Sequence, residues 1–342
     1  AALTVVFCVG MNLGVHGFRA LATSPETTGS SDPPGHLETP VDRPPARNRE
    51  TSPRATNAAG SWSRGPFVSI QVNVTEFGDN IIGDAANEPS IAVDPTNPNR
   101  IAIGWRQFDT ITSSFRQSGW AFSEDGGTTW RFPGVLHPTE FASDPVLASD
   151  GNGDFYYYSL QPNRGPGEWA CYLYKSTDGG ITWPQEVYGF GGDKAWINVD
   201  RTTGIGRGNI YVAWSPAAGC CGDQRFTRST DGGVSFQDPV PIPNSPFWGT
   251  LTVGPGGELY IAGRPSSGQG GTAIVVRSSN AQDPSAVPSF DALTSVDLDG
   301  FVNNGTGPNP GGLLGQIWID SDHSGQVSHG NLYVLASVTR FS

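Results

Sequence analysis

Short apolar runs alternate with glycine- and asparagine-rich turns along most of the chain. From residue 66 onward these runs come in pairs, in which a first run with few charges is followed by a turn and a second run rich in β-branched and aromatic residues. Short apolar runs bounded by turn residues are typical of β-strands, and an uncharged run is typical of a strand buried on both faces. The first runs span 88–94, 144–150, 194–200, 248–254 and 316–322.

A second motif recurs between these pairs at a constant spacing. It reads Ser-x-Asp-x-Gly-x-Thr/Ser-Trp/Phe, and its copies begin at Ser123, Ser176 and Ser229, which gives a period of 53 residues. An aspartate in a tight turn accepts hydrogen bonds from nearby backbone amides, and the paired glycines permit positive φ. We therefore predict a structural role for three aspartates, Asp125, Asp178 and Asp231.

The repeating unit predicts the fold. Four antiparallel strands in about 53 residues are typical of one blade of a β-propeller. The fold class expected is thus an all-β propeller of four-stranded antiparallel blades, with about five blades present. We expect a ring truncated at its C-terminus from six or seven blades, with a complete five-bladed ring as the alternative. The strand predicted at 67–74 has no blade before it and would close the ring as the outer strand of the last blade.

The repeated boxes resemble the Asp boxes, or BNR repeats, of the sialidase (neuraminidase) superfamily. The resemblance covers roughly residues 87–342 and implies that the boxes lie on one side of the disc and the functional site on the other, top side. Proteins with this propeller include sialidases, other glycoside hydrolases such as xyloglucanases, sorting-receptor domains and non-catalytic binding modules, so the fold alone does not select a function.

The sequence departs from the sialidase pattern where catalysis would take place. Sialidases bind the substrate carboxylate with three arginines and use a Tyr–Glu nucleophile pair with an aspartate as acid/base. The Arg-Ile-Pro motif of the family is absent here, and no tyrosine can be matched to the nucleophile. Other glycosidases use two carboxylates that flank the scissile bond, and that arrangement is the alternative for this chain.

The residue that opens the first strand differs between the units. It is, in turn, Glu88, Asp144, Lys194, Trp248 and Gln316. Rotation about the ring axis places equivalent positions at one height and radius, so these side chains are expected near the top mouth of the central channel. Two carboxylates, a lysine, a tryptophan and an amide are a set typical of a site, although strand-opening positions also tolerate polar residues that have no function.

The second strand ends in an arginine in the first and fourth units, namely Arg106 and Arg264. A guanidinium fork suits a carboxylate substrate. Lys194 either binds a polar ligand or neutralises the neighbouring carboxylates. The predicted catalytic residues are Glu88 and Asp144, and the predicted substrate-binding residues are Arg106, Lys194, Trp248 and Arg264.

These residues support two functional hypotheses. The first is a secreted, sialidase-like glycoside hydrolase, of exo-sialidase type if it is an enzyme. The alternative is a non-catalytic extracellular propeller that binds glycans or proteins. Two carboxylates about 5–10 Å apart in a top-face cleft would favour hydrolysis, whereas a shallow aromatic face without such a pair would favour binding.

The charge of the chain limits the classes of partner that we expect. The formal net charge is −12, and the chain has no run of lysines or arginines. Nucleic acids and anionic membranes require a concentrated positive patch, so the charge argues against both but selects no partner. The resemblance to sialidases implies that the partner is a carbohydrate or glycoconjugate. We expect no nucleic-acid partner and no membrane contact beyond a possible N-terminal signal or anchor. We also expect the protein to be a monomer.

The N-terminus predicts export. Residues 1–18 carry no formal charge and are mostly apolar, and Ala-Leu-Ala follows Arg19. Residues 1–22 therefore resemble a signal peptide without its basic start; a short membrane anchor is the alternative. Residues 23–65 are rich in proline and polar residues, which is typical of a disordered linker, so the propeller is expected to span 66–342 and the protein to be secreted, extracellular or periplasmic.

The sequence gives weaker indications of metal binding and of disulfide bonds. Asp150-Gly-Asn-Gly-Asp154 resembles the start of a calcium loop but occupies a hairpin turn, and we predict no metal and no cofactor. Cys171, Cys220 and Cys221 predict one disulfide in a secreted protein, either between adjacent blades or between the two neighbouring cysteines. The long interval at 281–315 is either a binding loop over the top face or a tolerated insertion.

Overall fold

The computed structural model describes residues 61–164, 169–216, 218–266, 272–302 and 316–340. The predicted signal peptide at 1–22, most of the predicted linker and residues 303–315 of the long interval lie outside the described residues. Every regular element in the described part of the chain is a β-strand. No helix there is long and apolar enough to cross a bilayer.

Two strands precede the first blade. They are β1 (Ser61–Arg64) and β2 (Phe67–Ile70). They pair antiparallel with each other around Gly65, whose φ of 61° fits a tight turn. The linker boundary predicted at residue 65 is therefore wrong for residues 61–64. In the described sheets β2 pairs with β1, and ring closure by this strand stays a prediction.

Four antiparallel sheets of four strands follow in chain order. Blade 1 contains β3 (Ala85–Val93), β4 (Ile101–Phe108), β5 (Arg116–Ser123) and β6 (Arg131–Val135). Blade 2 contains β7 (Ser143–Ser149), β8 (Phe155–Pro162), β9 (Trp169–Ser176) and β10 (Gln185–Tyr188). Blade 3 contains β11 (Trp196–Val199), β12 (Ile210–Ala213), β13 (Gln224–Ser229) and β14 (Val240–Pro241). Blade 4 contains β15 (Leu251–Val253), β16 (Leu259–Gly263), β17 (Thr272–Ser278) and β18 (Ala292–Asp297).

The remaining strands form two further pairs. They are β19 (Gly300–Val302), β20 (Trp318–Ser321), β21 (Leu332–Leu335) and β22 (Val338–Arg340). β20 pairs with β21 as the first hairpin of blade 5, and β19 pairs with β22. The inner strands pack in sequence, β3 on β7, β7 on β11, β11 on β15 and β15 on β20. The structure thus confirms the predicted all-β propeller with its consecutive antiparallel blades.

The core lies between the blades. Strand β8 shows how it is built, because Phe155 and Tyr157 pack in a cluster with Ala92 and Ala102 of blade 1. Tyr156 and Tyr158, one position along, pack with residues of blade 3 such as Ile197 and Val212. Successive side chains of a strand point to opposite faces, so one aromatic run fills the interfaces on both sides of blade 2.

The three Asp boxes are self-contained turns. In the first, Ser123 Oγ donates to Asp125 Oδ1 at 2.8 Å, and the Gly127 amide donates to Ser123 Oγ at 2.9 Å. The Thr129 amide and hydroxyl donate to the two Asp125 oxygens at 2.9 and 2.7 Å. The same bonds recur around Asp178 and Asp231, so the three aspartates have the predicted bonding.

The boxes lie at one end of the sheets. Ser123, which opens the first box, pairs with Ile101, and Ile101 pairs with Val93 at the end of the inner strand. Glu88 lies inside that strand, five residues before Val93 and toward the opposite end. The box and the strand-opening residue are therefore on opposite faces of the disc, and we call the Glu88 side the top face.

A second aspartate turn closes the first hairpin of several blades. The Asp150 Oδ1 oxygen accepts hydrogen bonds from the amides of Asn152 and Asp154 at 2.8 and 3.0 Å. Asp94 and Asp200 accept backbone amides in the same way. The repetition gives the calcium-like sequence at 150–154 a structural role as a turn.

The cysteines adopt one of the two predicted arrangements. Cys220 and Cys221 are bonded to each other, and Cys171 is a buried free thiol. The disulfide is thus vicinal and does not join two blades.

Candidate functional site

The strand-opening residues share an unusual backbone conformation. Glu88, Asp144, Lys194 and Trp248 have φ angles of 51°, 47°, 50° and 52°. A left-handed φ costs a residue other than glycine about 1–2 kcal/mol. The register of the inner strand also shifts between Asn87 and Ser90 and at the equivalent place in blade 2, as in a β-bulge, which re-aims a side chain. Four blades therefore share a left-handed residue at this position, and the first two also share a register shift.

Three of these residues meet in a mixed-charge group that also contains Arg106 and Asp193. We call these five residues the charged cluster. The Lys194 ammonium lies 3.0 Å from Asp144 Oδ2 and 3.6 Å from Glu88 Oε2. It also lies 3.8 Å from Asp193 Oδ1. Arg106 Nη2 lies 2.8 Å from Glu88 Oε1. Four residues predicted from repeat positions are thus in contact.

The two predicted catalytic carboxylates of the charged cluster differ in their exposure to solvent. The Asp144 side chain is 4% exposed, whereas the Glu88 side chain is 27% exposed. Asp144 is enclosed by donors: the Lys194 amide donates to Oδ2 at 3.1 Å, and the Ser143 hydroxyl donates to Oδ1 at 2.9 Å. Arg116 Nε in turn donates to the Ser143 hydroxyl at 3.2 Å. Glu88 is therefore the carboxylate that a ligand can reach.

The two predicted catalytic carboxylates have opposite pKa shifts. Burial raises the pKa of Glu88 and the Asp144 charge adds to this, while Lys194 and Arg106 oppose it without reversing it. Burial also disfavours the charged form of Asp144, but the charge and hydrogen bonds of Lys194 hold the pKa of Asp144 well below its usual range. Such a pair, in which one carboxyl retains a proton more readily, is suited to acid/base chemistry.

Asp193 is the member of the charged cluster that the sequence analysis missed. It is buried, and burial together with the nearby Asp144 charge raises the pKa of Asp193 to about 7. Burial disfavours the charged form of Lys194, but Asp144, Glu88 and Asp193 together raise the pKa of Lys194. The sequence could have indicated Asp193, because this aspartate directly precedes Lys194, one of only two lysines in the chain.

Trp248 and Arg264 form a second group with Phe247. The Arg264 guanidinium lies 5.4 Å from the Phe247 ring centre and 5.6 Å from the Trp248 ring centre. These distances are typical of cation–π contacts. No carboxylate in the described part of the chain pairs with Arg264, whose pKa burial alone lowers. Arg106 already binds Glu88, so Arg264 is the predicted arginine whose fork is open to an anion.

Ser215 links the two groups. Its hydroxyl accepts the Trp248 amide at 3.1 Å, and its own amide donates to the Asp193 carbonyl at 3.1 Å. No ion pair or ring contact among the described residues joins Arg264 to the charged cluster directly. The six predicted site residues therefore form two groups, one across blades 1 to 3 and one on blade 4. Gln316, the fifth strand-opening residue, has a buried Nε2 without a hydrogen-bond partner among the described residues.

Known proteins resemble this structure at the level of the fold. No protein-family model matches the chain. A xyloglucanase from Paenibacillus sp is 24% identical over 237 residues, which are 60% of this chain and 21% of that protein. A solved structure described as NanB plus Optactamide has a TM-score of 0.50 and 9% identity, over 75% of this chain and 57% of that chain.

The fold is that of a sialidase-like β-propeller. The K499G mutant of NanB sialidase from Streptococcus pneumoniae gives a TM-score of 0.49 at 9% identity, over the same shares of the two chains. This chain spans about a fifth of the xyloglucanase and little more than half of NanB. These likenesses concern the fold alone.

Proposed function

We propose that this sialidase-like propeller binds an acidic glycan at its top face and hydrolyses a glycosidic bond there. The observation that carries the proposal is the shared ammonium of Lys194, which both Glu88 and Asp144 contact. Because these contacts are 3.6 and 3.0 Å long, the two contacting oxygens are at most about 7 Å apart, which is no farther than the paired carboxylates of glycosidases reach.

Glu88 is the proton donor in this proposal. Burial raises the pKa of Glu88, which favours its protonated form more than in an ordinary glutamate, and its side chain reaches solvent. As the bond between the anomeric carbon and the leaving oxygen breaks, the Glu88 carboxyl protonates that oxygen. Water then adds to the anomeric carbon and its proton returns to Glu88, so the net reaction consumes one water and yields two hydroxyl groups.

Asp144 acts through charge. It is enclosed and stays ionised, so its negative charge stabilises the positive charge that develops on the sugar ring. Lys194 holds Asp144 and Glu88 at a fixed separation. The catalytic role predicted for Asp144 is thereby restricted to electrostatic stabilisation at a distance.

The group formed by Phe247, Trp248 and Arg264 indicates the class of substrate. An arginine that has no acidic partner among the described residues and lies over two aromatic rings suits a carboxylate or sulfate group. A tryptophan face beside it suits the apolar face of a sugar ring. We therefore propose an acidic sugar at this position, with the scissile bond directed toward Glu88.

A second function is supported by the neutralisation of Asp144. Because Lys194 already pairs with that carboxylate, the site also suits glycan binding without turnover.

We also propose that the protein works in an oxidising compartment outside the cytoplasm, since the bonded Cys220 and Cys221 are suited to such surroundings.

A glycan panel tests both functions. The purified protein is incubated with sialylated, uronic-acid-containing, sulfated and neutral glycans, and bound and released sugars are measured. Binding restricted to acidic glycans, with release of sugar, supports the hydrolase. Binding without release supports the second function. Equal binding of neutral xyloglucan fragments would contradict the acidic-sugar assignment.

A further inference from the structure

The loop between β12 and β13 carries the disulfide. We call residues 215–216 and 218–222 the disulfide loop. Ala218 and Cys221 have φ angles of 40° and 77°, which residues with side chains rarely adopt. The covalent bond between Cys220 and Cys221 closes a small ring that includes the peptide between them, and so fixes the backbone at this end of the loop.

The disulfide loop lies directly against the segment that bears Asp193 and Lys194. The Asp193 amide donates to the Ala218 carbonyl at 3.1 Å, and the Cys220 amide donates to the Gly191 carbonyl at 3.1 Å. The Ser215 amide donates to the Asp193 carbonyl, as described above. Three backbone hydrogen bonds therefore pin this segment, which begins at Gly191, to the loop.

The two backbones are also in close contact. A Cβ atom added to Gly192 would lie 2.7 Å from Gly219 Cα, and one added to Gly219 would lie 2.9 Å from Gly192 Cα. Trp214 packs against both glycines and is buried. Because no side chain separates the backbones, a displacement of the disulfide loop is transmitted to Asp193.

We propose that the Cys220–Cys221 disulfide is a positioning element of the charged cluster, and that its reduction by a dithiol displaces Asp193 and Lys194 from Asp144. The effect on glycans rests on the proposed function, whereas the displacement itself does not. The disulfide touches no reacting group and acts only through the hydrogen-bonded segment.

The reduction is a simple exchange. A thiolate of the dithiol attacks one sulfur of the disulfide, which breaks the bond and forms a mixed disulfide with that cysteine. The second thiol of the reagent then forms its own cyclic disulfide and releases the cysteine. Two electrons and two protons pass to the protein, so Cys220 and Cys221 become thiols. Both are half-buried, within reach of a small reagent.

Asp193 reports the displacement. The groups that face it are Lys194 beside it, Asp144 on β7, Glu88 from β3 and the buried Cys171 thiol on β9. Once the disulfide loop relaxes, Asp193 moves away from Asp144 and into water, and its pKa falls toward the ordinary range. A loss of general stability alone would leave this titration where it is.

Hydrogen exchange tests the displacement without any glycan. The proteins are the oxidised wild type, the wild type in dithiothreitol, and the double variant Cys220→Ser, Cys221→Ser. We expect the amides of Asp193 and Ser215 to exchange at least about tenfold faster in the last two, as local opening becomes easier, with the β8 core unchanged. Faster exchange confined to 218–222, with the Asp193 amide unchanged, would overturn the proposal.

A carboxyl NMR titration and the glycan kinetics complete the test. We expect the Asp193 inflection near pH 7 to move to lower pH in the reduced protein and in the double variant, and reoxidation to restore it in the wild type only. With an acidic glycan, kcat should fall by up to about 10²-fold as the cluster loses its alignment, and the pH–rate inflection should move with the NMR titration. An unmoved Asp193 inflection contradicts the proposal, whereas absent turnover in the oxidised wild type contradicts only the proposed function.

Discussion

The ammonium of Lys194 and its backbone amide both donate to the same oxygen of Asp144, at 3.0 and 3.1 Å. One residue of blade 3 thus binds a buried carboxylate of blade 2 through its side chain and its main chain. This contact lies at the centre of the charged cluster. The contact encloses Asp144, whereas Glu88 remains partly exposed.

Removal of the lysine charge should therefore destabilise the protein. The variant Lys194→Met leaves Asp144 buried and unpaired, and we expect the free energy of unfolding to fall by about 3–5 kcal/mol. Chemical denaturation measures this change. The double variant Lys194→Met, Asp144→Asn should recover part of the loss, because no unpaired charge remains. Additive losses in the double variant would contradict a coupled pair.

Asp193 should make stability fall as pH rises. Its folded pKa of about 7 lies above the ordinary value of about 3.9, so between about pH 4 and 7 the folded state binds more protons than the unfolded state. The free energy of unfolding then decreases with pH, by at most about 1.4 kcal/mol per pH unit. Denaturation across this range should show a flatter profile for Asp193→Asn, and an unchanged slope in that variant would contradict the assignment.

The repeat allowed the fold and most of the cluster to be predicted, for a physical reason. Equivalent positions of successive blades are related by rotation, so Glu88, Asp144 and Lys194 had to come near one another. The separation of Arg264 from Arg106 was not predictable, because it depends on which side chains each one contacts. Asp193 lies one residue before a repeat position, and its burial depends on a loop of the same blade.

The Asp boxes should contribute to stability and not to ligand binding. The Asp178 carboxylate accepts bonds from Ser176 Oγ, two backbone amides and the Thr182 hydroxyl. We expect Asp178→Ala to lower the free energy of unfolding by about 1–3 kcal/mol, measured by urea denaturation. The equivalent Asp231→Ala should cost a similar amount, and the two costs should add, because each box is self-contained. A lower glycan affinity in either variant would place the boxes in the site.

Arg264 should recognise the acidic group of the glycan. We expect Arg264→Ala to weaken binding by about 10- to 150-fold, as for lost hydrogen bonds to a charged group, and to remove most of the salt dependence of binding. Arg264→Lys is the matched control, because it keeps the charge but loses the planar fork and should recover only part of the affinity. Calorimetry at two ionic strengths measures both. Full affinity in Arg264→Ala would assign the anion site elsewhere.

The most direct test of the account is the turnover of an acidic glycan by Glu88→Gln, measured beside its binding. The wild type should release sugar, and the variant should lose about 10²- to 10⁴-fold in kcat, the usual contribution of a general acid, while its Kd changes by less than about twofold, because glutamine keeps the shape and the contact with Arg106. Equal turnover in the variant, or binding without any turnover by the wild type, would contradict Glu88 as the proton donor of a hydrolase.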